Sequence, residues 1–466
     1  MGAMSDPPWL GDTCSLVDAF RSGQRSPVEE LEATLAAIDS SGLNAFCYIE
    51  AEPALERART ADVSLPFGGV PIGVKEREPV AGWPSTEASL VFADRIGTFD
   101  STMTDRLRRG GANLIGQTTA SEFGGLNVSV SKLHGTTGNP WDQTRTTGGS
   151  SAGSAAAVAG GLVSIATGSD GGGSIRIPAG FCGLVGMKGT AGRIPRGPHT
   201  VIGPLTVVGG CLTRSVRDVA RWFDLTNGYD PRDPYSLPRI DGWERDLDSH
   251  DLSGLRVAIV PDLGRATIRP ELDTLVRAAG EALVVDAGLN LTEVSKPDLP
   301  DTSVAWAMSN LAVLKMALGH FWPGCKDDLT MEMAFGMELA SDHYDLEMAA
   351  RIEADKMATN EAMADIFDEV DILICATNPD TAYPAGVTMN TQVGDVTVGG
   401  ENNLALTGPF NIYGNPSIAV PIGLLGGLPI SMQLAAGHHR DAILLDLARV
   451  VERERPWPLV APAAPV

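Results

Sequence analysis

Between Thr147 and Pro178 the chain reads TGGSSAGSAAAVAGGLVSIATGSDGGGSIRIP, and this run of Gly, Ser and Ala constrains the fold more than any other stretch. Residues as small as those of Ala155–Gly161 let a helix pack very close to its neighbours, and Ser164–Gly168 reads as the strand that follows it. Gly/Ser turns stand before the helix and after the strand. A helix followed by a strand brings the chain back on itself, so the two serine-bearing turns meet at one end of the pair.

The rest of the chain alternates helices and strands. Apolar residues at helical spacing from Leu16 to Ile38, with a start signal at Ser26-Pro27 and Glu29-Glu30, predict an N-terminal helical region. Phe67–Val74 (FGGVPIGV) is a short apolar run that delivers Lys75 to a buried strand end. Helices are expected over 102–110, 214–225, 270–285 and 441–454, and strands over 113–117, 255–261, 289–294, 371–376 and 417–421. This alternation predicts a largely parallel sheet. Residues 134–153 read as one long loop, and 306–367 as mostly helical. That last segment carries eight of the fourteen methionines, so its composition differs from the rest. No repeat or low-complexity linker divides the 466 residues, which favours one large domain over 5–466 with a helical, Met-rich variable segment at about 303–370. The opening Met-Gly-Ala-Met (1–4) reads as an expression scar.

A formal charge of -23 repels phosphate backbones and anionic bilayers, so neither nucleic acid nor a membrane is an expected partner. No run of about 18 apolar residues and no leader pattern occurs, which fits a cytoplasmic protein. The six cysteines are scattered without C-x-x-C pairs or a histidine at finger spacing, so no metal, cofactor or disulfide framework is expected.

Four blocks together, GVPIGVKE, GNPWDQTRTTGGSSAGSAAAVAGG, GSDGGGSIRIPAGFCGLVGMKG and FNIYGNPSIAVPIG, make the chain resemble the amidase signature family of serine hydrolases, over nearly its whole length. The resemblance implies an α/β fold: a single large domain whose mixed, mostly parallel twisted sheet is covered by helices on both faces. It also implies a Ser–Ser–Lys triad, which carries over onto Lys75, Ser150 and Ser174, with Ser150 on a cis peptide. In that scheme Ser174 attacks, Ser150 relays its proton, and Lys75 is the base. A lysine can accept a proton only when neutral, which burial favours, and Val70, Ile72 and Val74 are expected to supply the apolar surround. The N–H groups of Gly171, Gly172, Gly173 and Ser174 would form an oxyanion hole. Gly171, where the family usually has Thr or Ile, Glu76 in place of Asp, and Gly189 and Ala191 after Lys188 depart from the pattern and bear on substrate fit.

Simpler readings stand beside these. A lone lysine at a strand end is usually a solvated charge. Asp170 and Arg176 are expected to brace the nucleophile's turn rather than touch substrate. Residues 149–153 also fit G-x-S-x-G, which would make Ser151 a nucleophile served by His320, His343, His438 or His439; otherwise Ser151 packs beside Ser150. Trp306, Met308, Phe321, Trp322, Met333, Phe335 and Met337 are either core filling or, where the family varies, a pocket wall. Gly124 and Ile177 are further pocket candidates.

The expected activity is hydrolysis of C–N bonds in neutral, hydrophobic linear amides or anilides, because no cationic side chain stands obviously placed for a substrate carboxylate. Carbamates and esters present the same carbonyl and remain alternatives. So does the amidase-like component of a tRNA-dependent amidotransferase, against which the apolar Ile177 and the Met-rich segment weigh. The expected partner is a small amide-type substrate, with the protein a monomer or homodimer.

Overall fold

Ser26 opens the helix Pro27–Ser40 by accepting a hydrogen bond from the Glu29 N–H, while the Glu29 carboxylate reaches back to the Ser26 N–H. Local signals of this kind set most of the helix ends. The computed structural model describes residues 7–199, 206–294, 297–462 and 464, so the expected scar at 1–4 lies outside the described residues.

Eleven strands form one sheet. In chain order they are β1 (Phe46–Ile49), β2 (Pro71–Lys75), β3 (Asn113–Thr118), β4 (Ile165–Asp170), β5 (Val185–Lys188), β6 (Val208–Thr213), β7 (Arg256–Ile259), β8 (Asn290–Leu291), β9 (Ile372–Ala376), β10 (Ser417–Leu425) and β11 (Leu428–Ala436). Across the sheet they run β1-β3-β2-β4-β6-β5-β10-β11-β9-β7-β8. The sheet is mixed, as expected, but not mostly parallel. Six neighbouring pairs are antiparallel and four parallel. The parallel pairs form two blocks, β3-β2-β4 and β9-β7-β8, and an antiparallel run through β6, β5, β10 and β11 joins them.

Side chains alternate between two cores. Ile72, Val74, Leu114, Ile165, Cys211, Ile418 and Val420 belong to one, and Ile115, Ala166, Leu212 and Ala419 to the other. The helices Ala152–Ala159 and Arg176–Cys182 pack on each other and on the sheet. A second group, Val216–Thr226, Pro270–Ala287 and Asp441–Glu454, covers the other core. Helices therefore lie on both faces.

Other expectations need adjustment. The 134–153 stretch contains a short ladder, Gly138–Asn139 against Asp142–Thr146, rather than bare loop. The strand expected over 289–294 shrinks to β8. The Met-rich segment is three helices, Ser303–Leu318, Met331–His343 and Leu346–Glu369, packed on one another.

Candidate active site

β2 carries Lys75 to its end, where the side chain is 1% exposed. The amine lies 2.8 Å from Ser150 Oγ, 2.9 Å from Ser169 Oγ and 3.4 Å from the Ser169 carbonyl. The Lys75 N–H donates to Thr167 Oγ1 at 2.7 Å, which locks the strand end to β4. Burial, reinforced by the nearby charge of Arg77, holds the amine well below its ordinary pKa. Val70, Ile72 and Val74 do not form the expected surround. They lie in the core on the opposite side of the sheet, because alternate residues of a strand face opposite ways. Hydroxyls of the Ser150 and Ser169 turns surround the amine instead.

Ser150 directly follows a cis peptide, Gly149–Ser150, as expected. Ser151 is buried and its hydroxyl points to the Ser169 carbonyl at 3.5 Å, while its N–H donates to the Ser174 carbonyl at 3.3 Å. It ties the two turns together. No histidine lines the cavity described below, among the described residues, so the Ser151 nucleophile reading loses its base.

β4 ends at Asp170, whose carboxylate organises the turn of Ser174. It accepts from the N–H groups of Gly173 (2.7 Å) and Ile175 (3.2 Å) and from Arg176 Nε and Nη2, both at 2.9 Å. Arg176 also donates to Gln433 Oε1, Asn411 Oδ1 and the Thr407 carbonyl. Burial pushes the Asp170 carboxyl up, but the Arg176 charge and the donors from Arg176 and Asn411 outweigh it and hold the group ionised. With both side chains fully buried, the pair is a brace, as expected.

Gly173 sits at φ 119°, and a Cβ there would come within 2.5 Å of Thr407 Oγ1. Its N–H is already bound to Asp170, which corrects the expectation that it joins an oxyanion hole. No hydrogen bond engages the N–H groups of Gly171, Gly172 and Ser174 among the described residues. Trp306 Nε1 donates to the Gly171 carbonyl and Thr407 Oγ1 to the Gly172 carbonyl, each at 2.6 Å, so both peptide planes are fixed.

Ser174, Ser150, Ser169 and Gly171 open onto a cavity of about 650 Å³, a size suited to a small organic ligand. Its wall is largely apolar, with Trp306, Met308, Leu311, Met333 and Phe335 from the Met-rich helices, and Met389 and Leu404 from a later loop. Gly124 lies beside Ser150: a Cβ there would sit 3.1 Å from Ser150 Oγ and 2.2 Å from Arg77 Nη1. Of the pocket candidates, Gly124, Trp306, Met308 and Phe335 line the cavity, as does Met333.

Two candidates do not. Ile177 packs with Phe181, Ala382 and Leu428 behind the turn, and Met337 is wholly buried in a helix core with Leu314 and Leu318. Each points to the inner side of its helix. Phe321 and Trp322 also stay off the wall. The sequence reading missed three charges on the wall, Arg77, Arg196 and Glu87, so its expectation of no cation near the site is corrected. Arg77 is answered by Glu87 at 2.8 Å. It also missed Ser169, which the GSDGGGS block contains.

Lys188 shows that a discharged lysine alone does not mark a base. Burial and the Arg176 charge push its amine down to about 7, yet it donates to the carbonyls of Asn415 and Gly189 and is absent from the cavity wall. Lys75 differs in having a serine hydroxyl as partner. Among the described residues, one group of metal-type donors occurs, Cys47, Glu76 and His134, and none of the three lines the cavity.

Known proteins share this arrangement. An acylamidase of Rhodococcus erythropolis is 32% identical over 486 residues, covering 98% of this chain and 97% of its own. The amidase-type component of the glutamyl-tRNA(Gln) amidotransferase from Synechococcus sp. (strain RCC307) is 30% identical over 483 residues, covering 96% and 98%. The crystal structure of a bacterial aryl acylamidase of the amidase signature family superposes with a TM-score of 0.89 at 25% identity, covering 96% of this chain and 97% of that one. The Amidase family model matches residues 29–445, and with these relatives it shows that the chain belongs to the amidase family.

Proposed function

We propose that the chain is an amidohydrolase that cleaves neutral, hydrophobic amides or anilides through an acyl-enzyme on Ser174. The observation that carries this reading is the discharged Lys75 amine 2.8 Å from Ser150 Oγ, beside an apolar cavity that Ser174 also lines. Ser174 Oγ attacks the carbonyl carbon, its proton passes to Ser150 Oγ, and the Ser150 proton passes to Lys75. The N–H groups of Gly171, Gly172 and Ser174 receive the developing oxyanion. The proton returns through Ser150 to the leaving amine, and a water molecule deacylates Ser174 by the same relay.

The acylamidase and aryl acylamidase relatives support an amide over a carbamate or an ester. Each apolar CH₂ buried against Trp306, Met308 and Leu311 contributes about 0.8 kcal/mol, whereas an unpaired carboxylate there costs several. With Arg77 engaged by Glu87, a neutral substrate fits best. The test uses the purified chain alone on a neutral aryl amide and on a partner of similar size bearing a carboxylate. Turnover of the neutral amide, lost by about 10⁴-fold or more in Ser174→Ala, is expected. No turnover without a partner protein would favour the amidotransferase reading. A tenfold preference for the carboxylate would assign Arg77 or Arg196 to substrate.

A further inference from the structure

The residue after Lys75 faces a different set of groups. Cys47 Sγ, a Glu76 carboxylate oxygen and a His134 ring nitrogen all lie within 4.8 Å of one another, from three segments far apart in the chain. Cys47 sits on β1, the edge strand of the sheet, and His134 just precedes the short strand Gly135–Thr136. His134 Nε2 is 2.8 Å from Glu76 Oε1, which also accepts from the Thr86 hydroxyl and from the Ala88 N–H at 3.3 Å.

The second oxygen, Glu76 Oε2, is buried and has no hydrogen-bond partner, on a residue only 3% exposed. A carboxylate oxygen deprived of both water and donors is costly. The Cys47 thiol does not relieve it, because it points to the Gln117 carbonyl at 3.5 Å. What the trio lacks is positive charge.

We propose that Cys47, Glu76 and His134 form a binding site for a Zn²⁺-class divalent ion. A thiolate, an imidazole and a carboxylate are the donors such an ion takes, while Mg²⁺ and Ca²⁺ require oxygens. Bonds of about 2.0–2.3 Å place tetrahedral ligands about 3.3–3.8 Å apart, so the trio closes by about 1 Å on binding. Cys47 and His134 are only partly buried and can make that movement. The thiol releases its proton to water, His134 coordinates through Nε2 while Nδ1 keeps the ring proton, and Glu76 supplies Oε2. Two anionic ligands neutralise the ion, and water fills the fourth position. The bound ion ties β1 and the 134 turn to the residue next to Lys75.

The experiment titrates the chelator-stripped full chain with Co²⁺. One equivalent is expected to produce the near-ultraviolet thiolate-to-cobalt absorption, and Zn²⁺ to displace it. Cys47→Ser should abolish the band, and His134→Ala should weaken Zn²⁺ binding by more than about 100-fold, beyond the loss of an outer-sphere partner. Failure of the wild-type chain to show the band, or its persistence in folded Cys47→Ser, overturns the proposal. Should a variant not fold, Cys47→Ala replaces it, and the wild-type stoichiometry decides independently: a value away from one overturns it.

Discussion

Residues 147–188 and the helices over 303–369 meet at one cavity but are built differently. In the first, almost every side chain is buried, and Asp170, Arg176 and Ser151 each hold several partners. In the second, Met316, Phe335 and Leu339 line the cavity while remaining 66%, 64% and 38% exposed. One region fixes atoms to a single geometry through satisfied polar groups; the other offers apolar surface that can change volume without breaking a network. Reaction chemistry belongs to the first region and substrate choice to the second.

The largest expected break comes from Gly173→Ala. The added methyl would meet Thr407 Oγ1 and Ile177 Cδ1 at about 2.5 Å in a backbone conformation that alanine resists, so the turn must move. Loss of aligned N–H donors should lower kcat by about 10²-fold or more with the fold retained, as judged by circular dichroism. Wild-type turnover in this variant would show that the first region is less rigid than its hydrogen bonds imply.

A pH profile sharpens the same contrast. Protonated Lys75 cannot accept a proton, so kcat/KM should rise about tenfold per pH unit on the acid side. It should then level off well below 10.5, since burial lowers the amine pKa. A chemistry-limited rate that is flat from pH 5 to 9 would remove Lys75 as the base.

The smallest effect belongs to the wall. Phe335→Ala should leave thermal stability nearly unchanged, because its ring is mostly exposed, and should shift kcat/KM between small and large aryl amides by about tenfold or less. A loss comparable to that of Gly173→Ala would erase the division between the two regions.

Much of this is readable in the residues. A helix followed by a strand brings Ser150 and Ser174 together whatever the rest of the chain does, and the apolar run before Lys75 marks a buried strand. The orientation of individual groups is not readable. Nothing in GSDGGGS says that the Asp170 carboxylate outcompetes substrate for the Gly173 N–H. Helical spacing does not say that Met337 and Ile177 turn inward while Phe335 turns to the cavity. Strand direction is equally silent in periodicity, which is why the alternation predicts a mostly parallel sheet and a mixed one forms. The trio of Cys47, Glu76 and His134 has no motif spacing, since the tertiary fold alone gathers it.

The contacts of Arg176 have a consequence for biosynthesis. Its partners Thr407, Asn411 and Gln433 stand 231, 235 and 257 residues further along the chain. A polypeptide emerges from its N-terminus, so a nascent chain carries both serines and the lysine long before the guanidinium meets its last acceptors. The nucleophile's turn is therefore completed late in synthesis. Fragments ending before residue 407 would hold all three triad positions and no finished enzyme, which protects the growing chain from acylating itself on whatever amide it meets.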